Sequence, residues 1–283
     1  MHEASQSGPR TWLITGVSSG FGREIAEAAL AQGDTVVGTL RRPEQGADFE
    51  ALAPGRARAL ILDVCVADDI VPTVAKAAAV TGRIDVLVNN AGYGFVGAVE
   101  EASDEEVRRQ FDTNFFGTQR VTRAVLPYMR EQQSGHIINM SSAAGFIASP
   151  GLGYYSASKF AVEGLTEALA SEVAKLGIRV TLIEPGGFRT RFSGGSFAQA
   201  AQRLEAYDGN AGRMRDNFER FDGQQPGDPA KAAAVVLQLV EMAEPPLRMV
   251  LGSDVLPRIR DKLNGVLAEL ERWEALSLST DHG

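Results

Sequence analysis

Trp12-Leu13-Ile14-Thr15-Gly16-Val17-Ser18-Ser19-Gly20-Phe21-Gly22 is the stretch from which the fold can be read. Strand-type residues run into glycines at 16, 20 and 22, and residues 24–32 continue with helical spacing up to Gly33, which suits the position just past a helix end. A strand, a tight glycine turn and a helix in that order open a βαβ unit. Without Cβ atoms the backbone can approach a pyrophosphate closely, and the helix that follows offers that anion free N–H groups and a partial positive charge. No Lys-Ser/Thr pair follows the glycines, which excludes a nucleoside-triphosphate loop. Taken alone, the glycines would equally suit a plain strand–helix turn.

Outward from this stretch the alternation continues. Apolar runs at 35–39, 59–63, 84–88, 136–140, 179–183 and 248–251 read as strands. Residues 70–80, 105–129 and 155–176 read as helices, and Ser103 with Glu106 forms a capping box in front of the second. Strands alternating with helices pair in parallel through crossovers. The expected fold is therefore α/β: a single Rossmann domain over 11–276, with a doubly wound parallel sheet of about seven strands and helices on both faces. Residues 1–10 and 277–283 are expected to be flexible tails. The Gly-, Arg-, Gln- and Phe-rich segment 186–227 is expected to be a mobile substrate lid. Apolar residues at 259, 263, 266, 267, 270 and 273 predict a C-terminal helix over 257–276, covering either the body or a partner.

Composition narrows the function. In 283 residues, 44% are hydrophobic and 23% charged, ordinary for a globular chain. The net charge of −8 speaks against nucleic acid and anionic membranes as partners. A single cysteine, Cys65, excludes an internal disulfide and any multi-thiolate zinc site, and no metal is expected. Of the three histidines, two lie near the ends, and His136 begins a strand and reads as structural. No apolar run approaches the ~20 residues of a membrane span, and no secretory segment is visible, so the expected location is cytoplasmic.

Two further patterns carry chemistry. Thr39-Leu40-Arg41-Arg42 ends the second strand without an acid to bind a ribose 2′-hydroxyl, and its guanidinium at Arg41 suits a 2′-phosphate. The pattern favours NADP (NADPH) over NAD, although Arg41 and Arg42 could also be surface charges. Tyr155-Ser156-Ala157-Ser158-Lys159 puts a phenol and an ammonium on one helix face. A cation about 5 Å away would lower a phenol's pKa by roughly two units, enough for proton transfer near neutral pH. Ser142, just after the strand at 136–140, is placed to hydrogen-bond a carbonyl oxygen that gains negative charge, with Ser141 as a weaker rival.

The ordered set of Thr15-Gly-x-x-x-Gly-x-Gly22, Asn89-Asn90-Ala91-Gly92, Asn114, Ser142 with Tyr155-x-x-x-Lys159, and Pro185-Gly186 resembles the short-chain dehydrogenase/reductase superfamily. The resemblance spans roughly residues 11–190. Residues 155–165 and 185–190 look most like the hydroxysteroid and retinol dehydrogenase branch. It implies that Tyr155 is the general acid/base, that Lys159 binds the nicotinamide ribose and acidifies Tyr155, that Ser142 positions the carbonyl, and that Asn114 holds a water of the proton relay. It also implies a cofactor site made of Gly16, Ser18, Ser19, Gly20, Phe21 and Gly22 at the phosphates and Arg41 at the 2′ position. Asp63 and Val64 would flank the adenine, Asn90, Ala91 and Gly92 would line the adenosine side, and Pro185, Gly186 and Thr190 would contact the nicotinamide end. One departure is Ser19, where many NADP-using relatives carry a basic residue. The expected reaction interconverts a ketone or aldehyde and an alcohol on an apolar, steroid-, retinoid- or aromatic-like substrate. A carrier-bound 3-oxoacyl reductase and a non-enzymatic NADP-binding sensor are the alternatives. Phe192, Phe197, Phe218 and Phe221 would line the substrate pocket or pack the lid. A homodimer or homotetramer is expected through the long helices at 105–129 and 155–176.

Overall fold

The computed structural model describes residues 8–190 and 197–282. Seven strands form one sheet: β1 (Thr11–Thr15), β2 (Thr35–Leu40), β3 (Ala57–Ile61), β4 (Val86–Asn89), β6 (Gly135–Met140), β7 (Ile178–Pro185) and β9 (Arg248–Leu251). Their lateral order is β3-β2-β1-β4-β6-β7-β9, and every pairing is parallel. The chain runs one way from β1 and then crosses to β4 and runs the other way. The crevice between β1 and β4 is therefore the place where such sheets bind ligands.

The sheet is apolar on both faces because both are covered. Alternate residues of β1 show it: Trp12 and Ile14 join a cluster with Ile25, Ala29, Val236 and Val240, while Leu13 joins Ile70, Val74, Val121, Val125 and Leu169. The first cluster lies under α1 (Gly20–Ala31) and α8 (Pro229–Glu241). The second lies under α3 (Ala67–Ala79), α5 (Thr118–Gln132) and α6 (Gly153–Val173). A short turn of helix, α2 (Gly46–Glu50), seats Phe49 in the first cluster. His136 is wholly buried in β6, where its Nε2 meets the Thr181 hydroxyl at 2.9 Å and burial pushes its pKa down to about 3. It is structural, as its strand position suggests.

Two readings need correction. The helix over 105–129 is not continuous: α4 (Asp104–Phe111) is separated from α5 by a π-helical turn, Asp112–Gly117. The third strand lies two residues earlier than the apolar run suggested, at Ala57–Ile61. The segment 186–227 holds a strand, β8 (Phe197–Gln199), which pairs in parallel with β5 (Gly94–Val96), and a helix, α7 (Arg213–Arg220). Residues 191–196, including Phe192, lie outside the described residues, as do 1–7 and 283. The C-terminal helix α9 (Leu256–Leu278) is longer than expected and does not cover the body. No helix among the described residues is long and apolar enough to cross a membrane, and among them no cluster of His, Cys, Asp or Glu is arranged for a metal.

Candidate active site

The glycine loop is one half of a joint. Gly16 has φ +75° and Gly20 φ +62°, the left-handed region that glycine enters at no steric cost. A Cβ on Gly22 would overlap the Asn90 amide and the Gly16 carbonyl. That amide donates to the carbonyls of Thr15 and Gly16, both at 2.9 Å. In return the Thr15 hydroxyl oxygen accepts the N–H groups of Asn90 (2.9 Å) and Ala91 (3.0 Å). Asn90 is thus a staple between β1 and β4. At the start of α1, the N-cap Ser19 offers no side-chain cap, and the first turn holds no acid. These N–H groups are arranged for an anion, so the loop fits a dinucleotide pyrophosphate.

A cavity of about 1150 Å³ runs along the carboxyl ends of the strands. It exceeds the ~300–1,000 Å³ of ordinary small-molecule sites and so suits two molecules held together. Its wall carries Gly16, Ser18, Ser19, Gly20, Phe21, Arg41, Asp63, Val64, Asn90, Ala91, Gly92, Ser142, Tyr155, Lys159, Pro185, Gly186 and Thr190. Of the catalytic and cofactor-contacting residues expected from sequence, Gly22 and Asn114 do not line it. Following the strand order, Asp63 and Arg41 lie towards one end and Pro185 towards the other. Thr190 comes back over the loop, 3.5 Å from where a Cβ on Gly20 would be. Arg41 is an exposed cation on the rim, and the wall at the end of β2 (Thr39, Leu40, Arg41) holds no acid.

Ser142, Tyr155 and Lys159 meet in the middle. Tyr155 and Lys159 project from one face of α6, with Lys159 Nζ 6.0 Å from the Tyr155 ring centre. Ser142 precedes a single 3₁₀ turn, accepts the Ala144 N–H at 3.1 Å, and hydrogen-bonds Tyr155. Lys159 Nζ donates to the Met140 carbonyl at 2.7 Å. The geometry agrees with the sequence, but the electrostatics correct it. Burial pushes the Tyr155 phenol up to about 12, against a downward pull from Ser142. Burial pushes Lys159 down to about 8, against an upward pull from Glu163. The neighbouring ammonium does not make the phenol acidic, because both groups are desolvated together. At neutral pH the Tyr155 phenol is protonated.

Asn114 sits in the π-helical turn, wholly buried. Its Oδ1 accepts the Tyr93 N–H at 3.0 Å, and its Nδ2 donates to the Tyr93 carbonyl (3.0 Å) and the Ser158 hydroxyl (3.3 Å). It therefore ties the strand-end segment 92–93 to α6, one layer behind Tyr155.

Two groups were not singled out from sequence. Behind Lys159, Glu163 lies one turn on along α6, and Arg248 of β9 reaches Glu163 (3.0 Å), Glu167 (2.6 Å) and Glu184 (3.6 Å). Burial, with Glu163 adding to it, pushes Glu184 up to about 7 against Arg248. Burial pushes the Glu163 carboxyl up, against a hydrogen bond from Ser141, while Ser142 faces Tyr155, which separates the surroundings of the two serines. The Lys159–Glu163 spacing was legible; the approach of Glu184 and Arg248 depends on β7–β9 pairing and was not. On the far wall, Glu101 and Arg215 form a buried pair at 3.2 Å across 114 residues of chain. There Phe197, Phe218 and Phe221 line the cavity with Phe95, Ile147 and Leu152, the Phe197 and Phe218 ring centres being 4.1 Å apart.

Comparison with known proteins agrees with this geometry. Residues 10–201 match the family model for short chain dehydrogenase. The 3-ketodihydrosphingosine reductase of Bacteroides thetaiotaomicron is 40% identical, over 86% of this chain and 88% of its own. Retinol dehydrogenase 8 of Bos taurus is 37% identical, over 89% and 84% respectively. The crystal structure of a short-chain dehydrogenase from Streptomyces avermitilis superposes with a TM-score of 0.91 at 46% identity, covering 98% of this chain and all of that one. A glycine joint, a strand-end cavity and a Ser-Tyr-Lys cluster occur here in a chain matched along its length, and this chain belongs to the short-chain dehydrogenase family of oxidoreductases.

Proposed function

We propose that this chain is an NADP(H)-dependent reductase of apolar ketones or aldehydes, running in the opposite direction on the corresponding alcohols. The observation that carries this reading is the convergence of Ser142, Tyr155 and Lys159 on the wall of the same cavity that opens onto the N-terminus of α1. When bound, a nicotinamide supplies or accepts the hydride.

The chain's own residues do the rest. Gly16, Ser18, Ser19, Gly20 and Phe21 hold the phosphates, and Gly22 keeps the loop closed on Asn90. Arg41 contacts the 2′-phosphate with a guanidinium, the better-shaped donor for it. Asp63 and Val64 hold the adenine, Asn90, Ala91 and Gly92 back the adenosine, and Pro185, Gly186 and Thr190 bound the nicotinamide end. Ser142 orients the substrate carbonyl, and the Tyr155 hydroxyl passes its proton to the carbonyl oxygen. Lys159 holds the ribose and returns the proton to Tyr155. The Asn114 main-chain carbonyl accepts the Thr118 hydroxyl at 3.0 Å and keeps a second lone pair for the relay water. A phenol pushed up to about 12 is in its acid form at neutral pH, ready to donate its proton when the reaction runs in the reductive direction.

The aromatic far wall supports an apolar substrate, in keeping with two relatives named for 3-ketodihydrosphingosine and for retinol. A panel of steroid, retinoid, long-chain and aromatic ketones is tested for NADPH consumption, beside carrier-bound 3-oxoacyl thioesters. Turnover of free apolar ketones is the expected result. Turnover of the carrier-bound thioesters alone would overturn the substrate reading, and NADPH binding with no turnover of any compound would favour a sensor.

A further inference from the structure

The last helix leaves the body of the molecule. In α9, Ile259 is buried and residues 260–278 are all exposed. Its apolar residues nevertheless follow a 3-4-3-4-3 spacing: Leu256, Ile259, Leu263, Val266, Leu270 and Trp273. That is a coiled-coil seam of alternating a and d positions, and from Leu263 onward it is held open to water, from 39% at Val266 to 63% at Leu270. Leu267 and Leu276 widen the stripe. A lone helix of this length is marginal in water, and Asn264-Gly265 in its middle weakens it further. The stripe accounts for the helix only if something covers it.

Charge identifies what covers it. The first half carries Arg258, Arg260 and Lys262 with one acid, Asp261, and the second half Glu269, Glu271 and Glu274 with one base, Arg272. A second copy laid antiparallel sets each basic half against an acidic half. With the seam residues as a and d, Arg260, Leu267 and Glu274 occupy e positions, and antiparallel pairing joins e to e. Arg260 then meets Glu274 of the partner subunit, twice by symmetry, and Leu267 meets Leu267 of the partner subunit. The one like-charge contact is Glu269 with its own copy. Parallel pairing would instead oppose Glu269 to Glu274 of the partner subunit at both g–e sites. A lipid surface is the weaker occupant, because the four cations and four anions of α9 cancel and leave no attraction to anionic headgroups.

We propose that α9 pairs antiparallel with α9 of a second copy, as a two-helix coiled coil on a two-fold axis. The pairing has a route to the cavity: Arg258, at the root of α9, lines it and donates to the Ser149 hydroxyl at 3.3 Å.

The full chain is weighed in solution by light scattering and sedimentation, for the wild type, Leu270→Glu, Arg260→Glu, and the double swap Arg260→Glu/Glu274→Arg. Circular dichroism checks that each is folded. The two single variants are expected to halve the assembly mass, or weaken its dissociation constant at least tenfold, and the swap to restore it. A monomeric wild type, an unchanged mass in both single variants, or a swap that fails to restore the assembly would each overturn the proposal. In a Cys65→Ser background, Leu267→Cys is expected to oxidise to a covalent dimer and the outward Glu271→Cys to stay monomeric on a denaturing gel. The reverse pattern would overturn the antiparallel register. Capture of the wild type by phosphatidylserine vesicles with loss of the dimer would assign the stripe to lipid and overturn the proposal as well.

Discussion

Strand ends build the wall of the cavity between residues 15 and 92, and loops clasped from a distance build the facing wall. On the first side, β2, β1 and β4 lie side by side in the sheet, and two backbone-directed side chains, Thr15 and Asn90, lock β1 to β4. On the second side, β5 pairs with β8 a hundred residues later, and Glu101 accepts the N–H groups of Ala98 (2.7 Å) and Leu204 (2.9 Å) while pairing with Arg215. Glu106 accepts the Ala201 N–H at 2.9 Å in the same way. The first wall inherits the stability of the core; the second has a few polar clasps of its own. Such a difference lets a protein keep one ligand site fixed and another adaptable.

Substitutions on each wall would break or sharpen that contrast. The largest effect is expected between them: Tyr155→Phe should cut turnover by about 10²–10⁴-fold while NADPH affinity, read by fluorescence, stays close to wild type. Retained turnover would remove Tyr155 from the chemistry. Next is Arg215→Ala, which strands Glu101 in a buried place at a cost of about 3–5 kcal/mol. Amide exchange should quicken across 197–220 and leave β1 and β4 protected; loss of protection in β1 as well would show that the walls are one cooperative unit. On the fixed wall, Arg41→Ala should raise the Michaelis constant for NADPH about tenfold and leave that for NADH unchanged, roughly the value of one charge-assisted hydrogen bond. Equal effects on both would argue against a 2′-phosphate contact.

The smallest is a pH dependence. Glu184 is pushed up to about 7, chiefly by burial, from a model-compound value of 4.5. A carboxyl raised in the folded state contributes stability below about 4.5 that is lost as pH rises to about 7. The slope is at most about 1.4 kcal/mol per pH unit. Glu184→Gln should flatten melting temperature against pH over that window; an unchanged slope would place the titration elsewhere.

The same contrast explains what could be read in advance. Residues 11–92 announce their strands and loop through local periodicity and glycines, so the sheet and the phosphate joint were legible from the chain alone. Tyr155 and Lys159 share a helix face, and four-residue spacing is enough to predict that. The acidity of Tyr155 was misjudged because spacing shows a nearby cation but not the water lost around both groups. The clasp of Glu101 on Arg215, the β5–β8 pair and the gathering of Glu163, Glu184 and Arg248 join parts of the chain far apart, and no local pattern marks them. The π-helical turn at Asn114 was hidden because its neighbours on either side have ordinary helical spacing.

The stapling of Thr15 and Gly16 by Asn90 bears on protein engineering. Eight residues copied from Thr15 to Gly22 into another scaffold would carry the curve of the loop but not the amide that holds it shut. A transplant that keeps its shape has to include the end of the neighbouring strand, so the smallest portable unit is two segments, 75 residues apart in the chain, moved together.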